Sequence, residues 1–304
     1  MSAWFERFDV QCSQLLPQLS VLRDEPMRAH TTFRIGGNAR RMARVRSGEE
    51  LSALLTLVYE EGYPYLLLGN GSNLLVSDAG VDVLVIHTGE MQQIERVDEN
   101  TLYAQAGVPL AKLAVFAMKH SLTGLEFAHG IPGTLGGAVC MNAGAYGGEM
   151  SQVVREVTAW LPGKGACRMS LDELALSYRH SYFTDHEGVV LGATLCLKNG
   201  NEADIRTQME ELIGRRRDKQ PLEYPSAGST FKRPEGHFAG ALIEQCGLKG
   251  MTVGGAQVSE KHAGFVINTG NATSADVLAL IGEIQKIVHE RTGVMLEPEI
   301  KMVC

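Results

Sequence analysis

Two glycine-rich segments carry the residue types most suited to chemistry. The first, Gly69-Asn70-Gly71-Ser72-Asn73, lies between two β-like runs. Its glycines let successive backbone N–H groups turn toward one point, and Ser and Asn add short donors, an arrangement that suits a phosphate or pyrophosphate. It is not the dinucleotide fingerprint, because G-x-G-x-x-G is not satisfied and no helix opens after it. Nor is it a P-loop, since Gly-Lys-Ser/Thr is missing. A tight hairpin with polar turn residues is the competing reading, because turns draw on the same residues. The second segment, Gly130 to Gly148, holds seven glycines in nineteen residues. Small apolar residues (Ala138, Val139, Ala143, Ala145) stand between them, whereas flexible linkers are polar. Such a stretch permits close approach of backbone to a large flat ligand. Two loops from different thirds of the chain suggest one extended, dinucleotide-sized ligand.

The elements that must position these loops follow from apolar spacing. Leu51, Leu54, Leu55 and Val58 mark a helix over 49–61. Strands are predicted at 65–68, 74–76 and 81–86, and a short helix over 110–119 with Pro109 near its first turn. No helical or strand period is usable between 130 and 148. Strands resume at 153–161 and 189–197. Ile205, Met209, Leu212 and Ile213 share a helix face that ends in Arg215-Arg216-Arg217. Val277, Ile281, Ile284 and Val288 define another helix, with Ser274 as N-cap and Gly293 past its end. A final strand over 294–303 puts Leu296, Ile300 and Met302 on one side and Glu297, Glu299 and Lys301 on the other. Composition shifts place soft boundaries near residues 100 and 200, giving segments 1–100, 101–200 and 201–304.

Composition narrows the function classes. The chain has 304 residues, 44% of them hydrophobic and 21% charged, which excludes disorder as the main state. Its 34 glycines exceed the usual share and are clustered, not periodic. A net charge of −7 argues against a broad nucleic-acid-binding face. No apolar run reaches membrane-span length, and Glu6, Asp9 and Asp24 make the start unlike a signal peptide. Six widely spaced cysteines without a C-x-x-C pair form neither a zinc pattern nor a disulfide framework, and read as reduced cytosolic thiols. The expectation is a soluble cytoplasmic enzyme, monomeric for want of a long exposed apolar seam, with no nucleic-acid or membrane partner and no metal.

Thr31-Thr32-Phe33-Arg34-Ile35-Gly36-Gly37 and both glycine segments resemble the UDP-N-acetylenolpyruvoylglucosamine reductase family. Ser177-Tyr178-Arg179, Ala227-Gly228-Ser229-Thr230-Phe231-Lys232 and Leu296-Glu297-Pro298-Glu299-Ile300 continue the resemblance in family order to the C-terminus. The form of the Ser229 motif is similar to the branch without a substrate-capping tyrosine loop.

The resemblance implies an α+β chain with a vanillyl-alcohol-oxidase-type FAD-binding module. Its two subdomains would be 1–100 and 101–200, followed by an α+β substrate-binding domain at 201–304. It implies that Gly69, Asn70, Gly71, Ser72 and Asn73 hold the pyrophosphate of non-covalent FAD. Gly130, Ile131, Pro132, Gly133, Thr134, Gly136, Gly137, Asn142, Ala143, Gly144 and Ala145 would line the rest of the cofactor. The implied reaction is reduction of the enolpyruvyl double bond of a UDP-sugar to a lactyl ether, with NADPH as co-substrate. Hydride would come from the flavin and the proton from Ser229, while Arg179 and Glu299 would stabilise the substrate carboxyl group. Tyr178, Lys219 and Arg215 would contact substrate.

Each position also has a bland reading. Arg179 could be a surface ion pair and Ser229 a turn residue; Lys219 with Arg215 to Arg217 could be a solvated helix end answering the dipole. Periodicity alone does not choose between Glu297 and Glu299; the family pattern selects Glu299. Arg233 departs from a family asparagine that contacts substrate. His129 and His262 lack metal-ligand spacing and read as structural. The competing functions are an FAD oxidase or dehydrogenase of another hydroxy-substrate, and a non-catalytic nucleotide sensor that has kept the loops.

Overall fold

The computed structural model describes residues 4–304. In chain order the first part contains α1 (Trp4–Leu15), β1 (Ser20–Pro26), β2 (Asn38–Arg44), α2 (Gly48–Glu61), β3 (Tyr65–Leu68), β4 (Leu74–Val76) and β5 (Val81–His87). There follow β6 (Ile94–Arg96), β7 (Thr101–Gln105), α3 (Leu110–Lys119), β8 (Leu122–Thr123), α4 (Leu135–Cys140), β9 (Gly144–Ala145) and β10 (Gly148–Glu149). Next come β11 (Val154–Leu161), β12 (Gly165–Ser170), α5 (Tyr182–Asp185), β13 (Val189–Cys196), β14 (Lys198–Asn199) and α6 (Glu202–Lys219). The last part holds α7 (Ala239–Gln245), β15 (Thr252–Val253), β16 (Ala256–Val258), β17 (Val266–Asn268), α8 (Ser274–Thr292) and β18 (Lys301–Val303). The class is α+β.

A four-stranded sheet has the order β1-β2-β5-β3, and a five-stranded antiparallel sheet the order β12-β11-β13-β7-β6. A three-stranded antiparallel sheet, β15-β16-β17, lies in the last third. The chain forms two compact units. One comprises the chain up to Leu22, Arg41–Asn70 and Val83–Gly214; the other comprises Arg23–Arg40, Gly71–Asp82 and Arg215–Cys304.

In the first unit, α2 buries Leu51, Leu54, Leu55 and Val58 with Leu84, Ile86 and Trp160. Ser47 caps its start by accepting from the Glu50 N–H at 3.2 Å, and Gly62 at φ +66° ends it. A second core there joins the five-stranded sheet to α3 and α4 through Leu102, Leu113, Leu135, Val157 and Leu195. The second unit is built on α8, whose Val277, Leu280, Ile281, Ile284 and Val288 are buried with Leu242, Ile243 and Val258. Burying one such aliphatic side chain stabilises by about 1.5–3 kcal/mol.

Several local expectations need correction. The N-cap of α8 is Thr273, not Ser274. The Thr273 hydroxyl accepts from the Asp276 N–H at 3.0 Å, and the Asp276 carboxylate accepts from the Thr273 N–H at 2.9 Å. The box requires an N-cap three residues before its acid, which only position 273 satisfies. Ser274 instead donates to the Asp78 carboxylate at 2.7 Å. Pro109 introduces α3 as expected, standing at its N-cap, whereas α6 runs past the arginine triplet to Lys219. The final strand is confined to Lys301–Val303, because Pro298 has no N–H to donate and the preceding segment makes only an isolated bridge, Phe231 with Pro298. Met302 is 39% exposed while Leu296 is buried, so the expected alternation does not persist.

Candidate active site

The first glycine loop is not a hairpin. Its flanking strands pair elsewhere: β3 runs parallel to β5, and β4 runs parallel to β18. Gly69 is required by its neighbour, since a Cβ there would come within 2.4 Å of Thr134 Oγ1. Asn70 Nδ2 donates to the Pro132 carbonyl at 3.1 Å. These two contacts join the first loop to the second in the first unit. In the second unit, Gly71 sits at φ +57°, where a Cβ would meet the His30 carbonyl oxygen at 2.3 Å. Asn73 Nδ2 donates to the Glu299 carbonyl at 3.1 Å, and its own carbonyl accepts from the Lys301 N–H at 2.9 Å.

Among the described residues, the backbone N–H groups of Gly69, Asn70, Gly71 and Ser72 donate no hydrogen bond within the protein. A run of unspent N–H groups in glycine-permitted backbone fits an anionic pyrophosphate. His129 Nδ1, one residue before the second loop, is buried without a hydrogen-bond partner. A bound group with polar edges would satisfy it. On both observations the residues present fit a dinucleotide such as FAD.

The second loop divides by environment. Thr134 and Gly136 face inward: Thr134 is buried, and a Cβ on Gly136 would sit 2.9 Å from Ala106 Cβ. The Gly136 N–H donates to the Ala106 carbonyl at 2.8 Å, so this glycine lets α4 lie against that backbone. Pro132 and Gly137 are exposed, and Ile131 and Gly133 half-buried. The short helix α4 escaped the sequence reading because its six residues are too few to show a period. Ala143, Gly144 and Ala145 enter the β9–β10 hairpin, whose turn residues Tyr146 and Gly147 both have positive φ. Asn142 is buried and hydrogen-bonded through both ends of its side-chain amide.

Tyr178 and Arg179 form the tip of a tight turn closed by Ser177 N–H to His180 O at 3.1 Å and His180 N–H to Ser177 O at 3.2 Å. Arg179 lies at φ +56°, where a non-glycine residue costs on the order of 1–3 kcal/mol unless its surroundings hold it. Its guanidinium carbon is 5.6 Å from the Tyr178 ring centre. His180 Nε2 and the Asp185 carboxylate are 2.8 Å apart, and that hydrogen bond raises the His180 pKa above its ordinary value.

In the second unit, Ser229 is exposed and follows Gly228 at φ +78°. Thr230 beside it is buried, and its hydroxyl accepts from the Val266 N–H at 3.0 Å. The Glu299 N–H donates to the Thr230 carbonyl at 2.8 Å, and the Lys232 N–H to the Glu297 carbonyl at 2.8 Å. This two-rung ladder sets the Ser229 and Glu299 segments side by side. Glu297 is exposed and ion-paired with Lys232, whereas Glu299 is half-buried. The Thr31–Gly37 motif supports the same segment: the Thr32 hydroxyl donates to the Ser226 carbonyl at 2.7 Å, and Asn268 Nδ2 to the Phe33 carbonyl at 3.1 Å. His262 Nδ1 accepts from the Gly264 N–H at 3.1 Å, and burial lowers its pKa. Arg233 stacks on Phe238 at 4.0 Å to the ring centre. Arg215 and Lys219 are exposed, one turn apart on α6.

The fold defines a flavin-nucleotide-binding class of protein: residues 39–169 match the family model of the FAD binding domain. Residues 220–303 match that of the UDP-N-acetylenolpyruvoylglucosamine reductase C-terminal domain. The chain is 50% identical over 290 residues to UDP-N-acetylenolpyruvoylglucosamine reductase of Caldanaerobacter subterraneus subsp. tengcongensis, covering 95% of this chain and 96% of the relative. The same enzyme of Clostridioides difficile is 45% identical over 289 residues, with 95% of each chain covered. A solved structure of UDP-N-acetylenolpyruvylglucosamine reductase from Thermus caldophilus superposes with a TM-score of 0.78 at 36% identity, covering 94% of this chain and 99% of that one. The chain therefore belongs to the UDP-N-acetylenolpyruvoylglucosamine reductase family.

Proposed function

We propose that this chain reduces UDP-N-acetylglucosamine enolpyruvate to UDP-N-acetylmuramate, with FAD as non-covalent cofactor and NADPH as electron donor, in peptidoglycan precursor synthesis. FAD, held by Gly69 to Asn73 and the second glycine segment, would supply hydride-transfer chemistry between NADPH and the vinyl carbon of the substrate. The chain's own residues then have two tasks. Charge that develops on the substrate carboxylate must be stabilised, and the neighbouring carbon must receive a proton. Arg179 offers a planar two-donor fork to the carboxylate, Glu299 polarises the same group, and the Ser229 hydroxyl gives the proton. Tyr178, Lys219 and Arg215 contact the UDP-sugar.

The observation that carries the reading is the ladder between residues 230–232 and 297–299. It pairs Glu299 with Thr230, the residue that follows Ser229, although the two lie about seventy residues apart in the chain. For the cofactor, support comes from the unspent N–H groups of Gly69 to Ser72 and the unpartnered His129 Nδ1. Pro132, Gly133, Gly137, Ala143, Gly144 and Ala145 belong to the same proposed cofactor site, and the Pro132 carbonyl accepts from Asn70 Nδ2 of the first loop at 3.1 Å. Subdomains at 1–100 and 101–200 and a substrate domain at 201–304 belong to the proposal. In its favour, one core draws mainly on residues before 92, one on residues 102–209, and one mainly on residues after 226. The same reading makes the protein a cytoplasmic monomer that acts on a small molecule and not on nucleic acid. Among the described residues no helix is long and apolar enough to cross a membrane.

An anaerobic spectral titration tests it. Flavin absorbance should bleach on adding NADPH and return on adding the enolpyruvyl UDP-sugar. Bleaching without return would reassign the substrate, and protein that cannot be reconstituted with FAD would refute the assignment.

A further inference from the structure

Asn142 stands within the glycine-rich segment, yet its side chain is committed elsewhere. It is 3% exposed; Nδ2 donates to the Ser177 carbonyl at 3.1 Å, and Oδ1 accepts from the Ser151 N–H at 2.9 Å. Ser177 is the first residue of the turn that carries Tyr178 and Arg179. A second tie lies on the other side of that turn. Ser181, wholly buried, donates its hydroxyl to the Cys140 carbonyl at 2.7 Å, two residues before Asn142. Both legs of the turn are thus fastened to residues 140–142, at the end of α4.

The turn needs such fastening. Arg179 occupies its third position at φ +56°, a conformation that glycine or asparagine adopts with less strain. The turn's own closure is two backbone hydrogen bonds of 3.1 and 3.2 Å. Freed of its ties, the backbone at Arg179 would relax toward a negative φ and swing the guanidinium away. A displacement of about 1 Å in a group that stabilises developing charge can cost about 10²-fold in rate.

We infer that Asn142 and Ser181 are positioning residues that register the Tyr178–Arg179 turn against the glycine-rich segment, and that the Asn142 amide serves the reaction through Arg179 without touching the cofactor. The inference rests on the role proposed above for Arg179.

The test compares FAD-loaded wild type with Arg179→Ala, Asn142→Ala, their double variant, and Ser181→Ala. Product formation, flavin bleaching by NADPH, and FAD affinity by fluorescence titration are measured on each. The expected result is an Asn142→Ala kcat lower by about 10- to 100-fold, with FAD affinity and bleaching rate within about threefold of wild type. The double variant should be no slower than Arg179→Ala, because a residue that acts only through Arg179 has nothing left to lose. Ser181→Ala should slow product formation in the same selective way. A tenfold loss of FAD affinity in Asn142→Ala, with kcat intact at saturating FAD, would make Asn142 a cofactor contact and overturn the inference. Losses that multiply in the double variant would overturn it too. Wild-type turnover by Arg179→Ala would refute the Arg179 role and the inference with it, whereas multiplying losses beside an impaired Arg179→Ala would refute the inference alone. If Asn142→Ala does not fold, Asn142→Asp decides. It keeps the acceptor for Ser151 N–H, removes the donor to Ser177, and should show the same selective loss.

Discussion

The Glu299 N–H donates to the carbonyl of Thr230 across 2.8 Å, so the residue after Ser229 and the glutamate of the C-terminal motif are neighbours on one short ladder. Thr230 is fixed from its other sides as well. Its N–H donates to the Gly264 carbonyl at 2.8 Å, and its hydroxyl accepts from the Val266 N–H. A buried residue whose polar groups are all engaged holds its neighbour in a defined place.

Ser229→Ala should keep FAD and its bleaching by NADPH but lose product formation by at least about 10²-fold, the usual contribution of a positioned proton donor. Rapid-mixing absorbance separates the two half-reactions. Wild-type-like recovery of the flavin band would remove Ser229 from the mechanism.

The two C-terminal glutamates should respond differently. Glu299→Gln is expected to lower kcat by tenfold or more, since an amide cannot exchange a proton with the substrate carboxyl group that Glu299 is proposed to polarise. Glu297→Gln should change kcat less than about threefold. The pair it makes with Lys232 is exposed on both sides, and such pairs contribute at most about 1 kcal/mol to stability. Equal losses in the two variants would contradict the assignment.

Gly69→Ala would drive a methyl group against Thr134 Oγ1 and should destabilise the protein by about 1–3 kcal/mol, with weaker FAD binding. Thr134→Ala removes the obstructing atoms, so the double variant should recover most of the loss in urea denaturation. No recovery would show that the clash is not what makes Gly69 necessary.

His262 is half-buried and accepts a hydrogen bond at Nδ1, and its burial lowers its pKa in the folded protein. A depressed histidine pKa means that the unfolded chain binds the proton more readily. Stability is therefore complete above the unfolded value of about 6.5 and falls as pH drops through and below it. Thermal midpoints measured from pH 7.5 to 5 should decline more steeply in wild type than in His262→Asn, whose side-chain oxygen can accept the same bond without titrating. Parallel curves would dissociate His262 from the acid sensitivity.

Elements with a clear apolar period were legible from the amino-acid order alone. The helix over 49–61 and the helix over 110–119 appear where Leu51, Leu54, Leu55 and Leu110, Leu113 place them, because helical burial repeats within a few residues. Where the period is short or interrupted, tertiary structure decided. The helix Leu135–Cys140 forms because Gly136 lets its backbone meet Ala106, a contact thirty residues distant. The C-terminal strand shortens because Pro298 withholds a donor and its partners lie at residues 230–232 and 74–76.

The candidate site divides along the same line. Glycine clustering and family motifs in the sequence marked the two loops, Arg179, Ser229 and the alternative of Glu297 or Glu299. Residue types alone could not distinguish the glutamates, which alternate on one short segment and differ only in surroundings: Glu297 beside Lys232 in solvent, Glu299 half-buried on the Thr230 ladder. Nor could they reveal that the Asn142 amide is spent on Ser177, or that Gly69 answers to Thr134. Local order determines which backbone shapes and donors are present. Which partners use them depends on chain closure over tens to hundreds of residues, and only the folded packing fixes that choice.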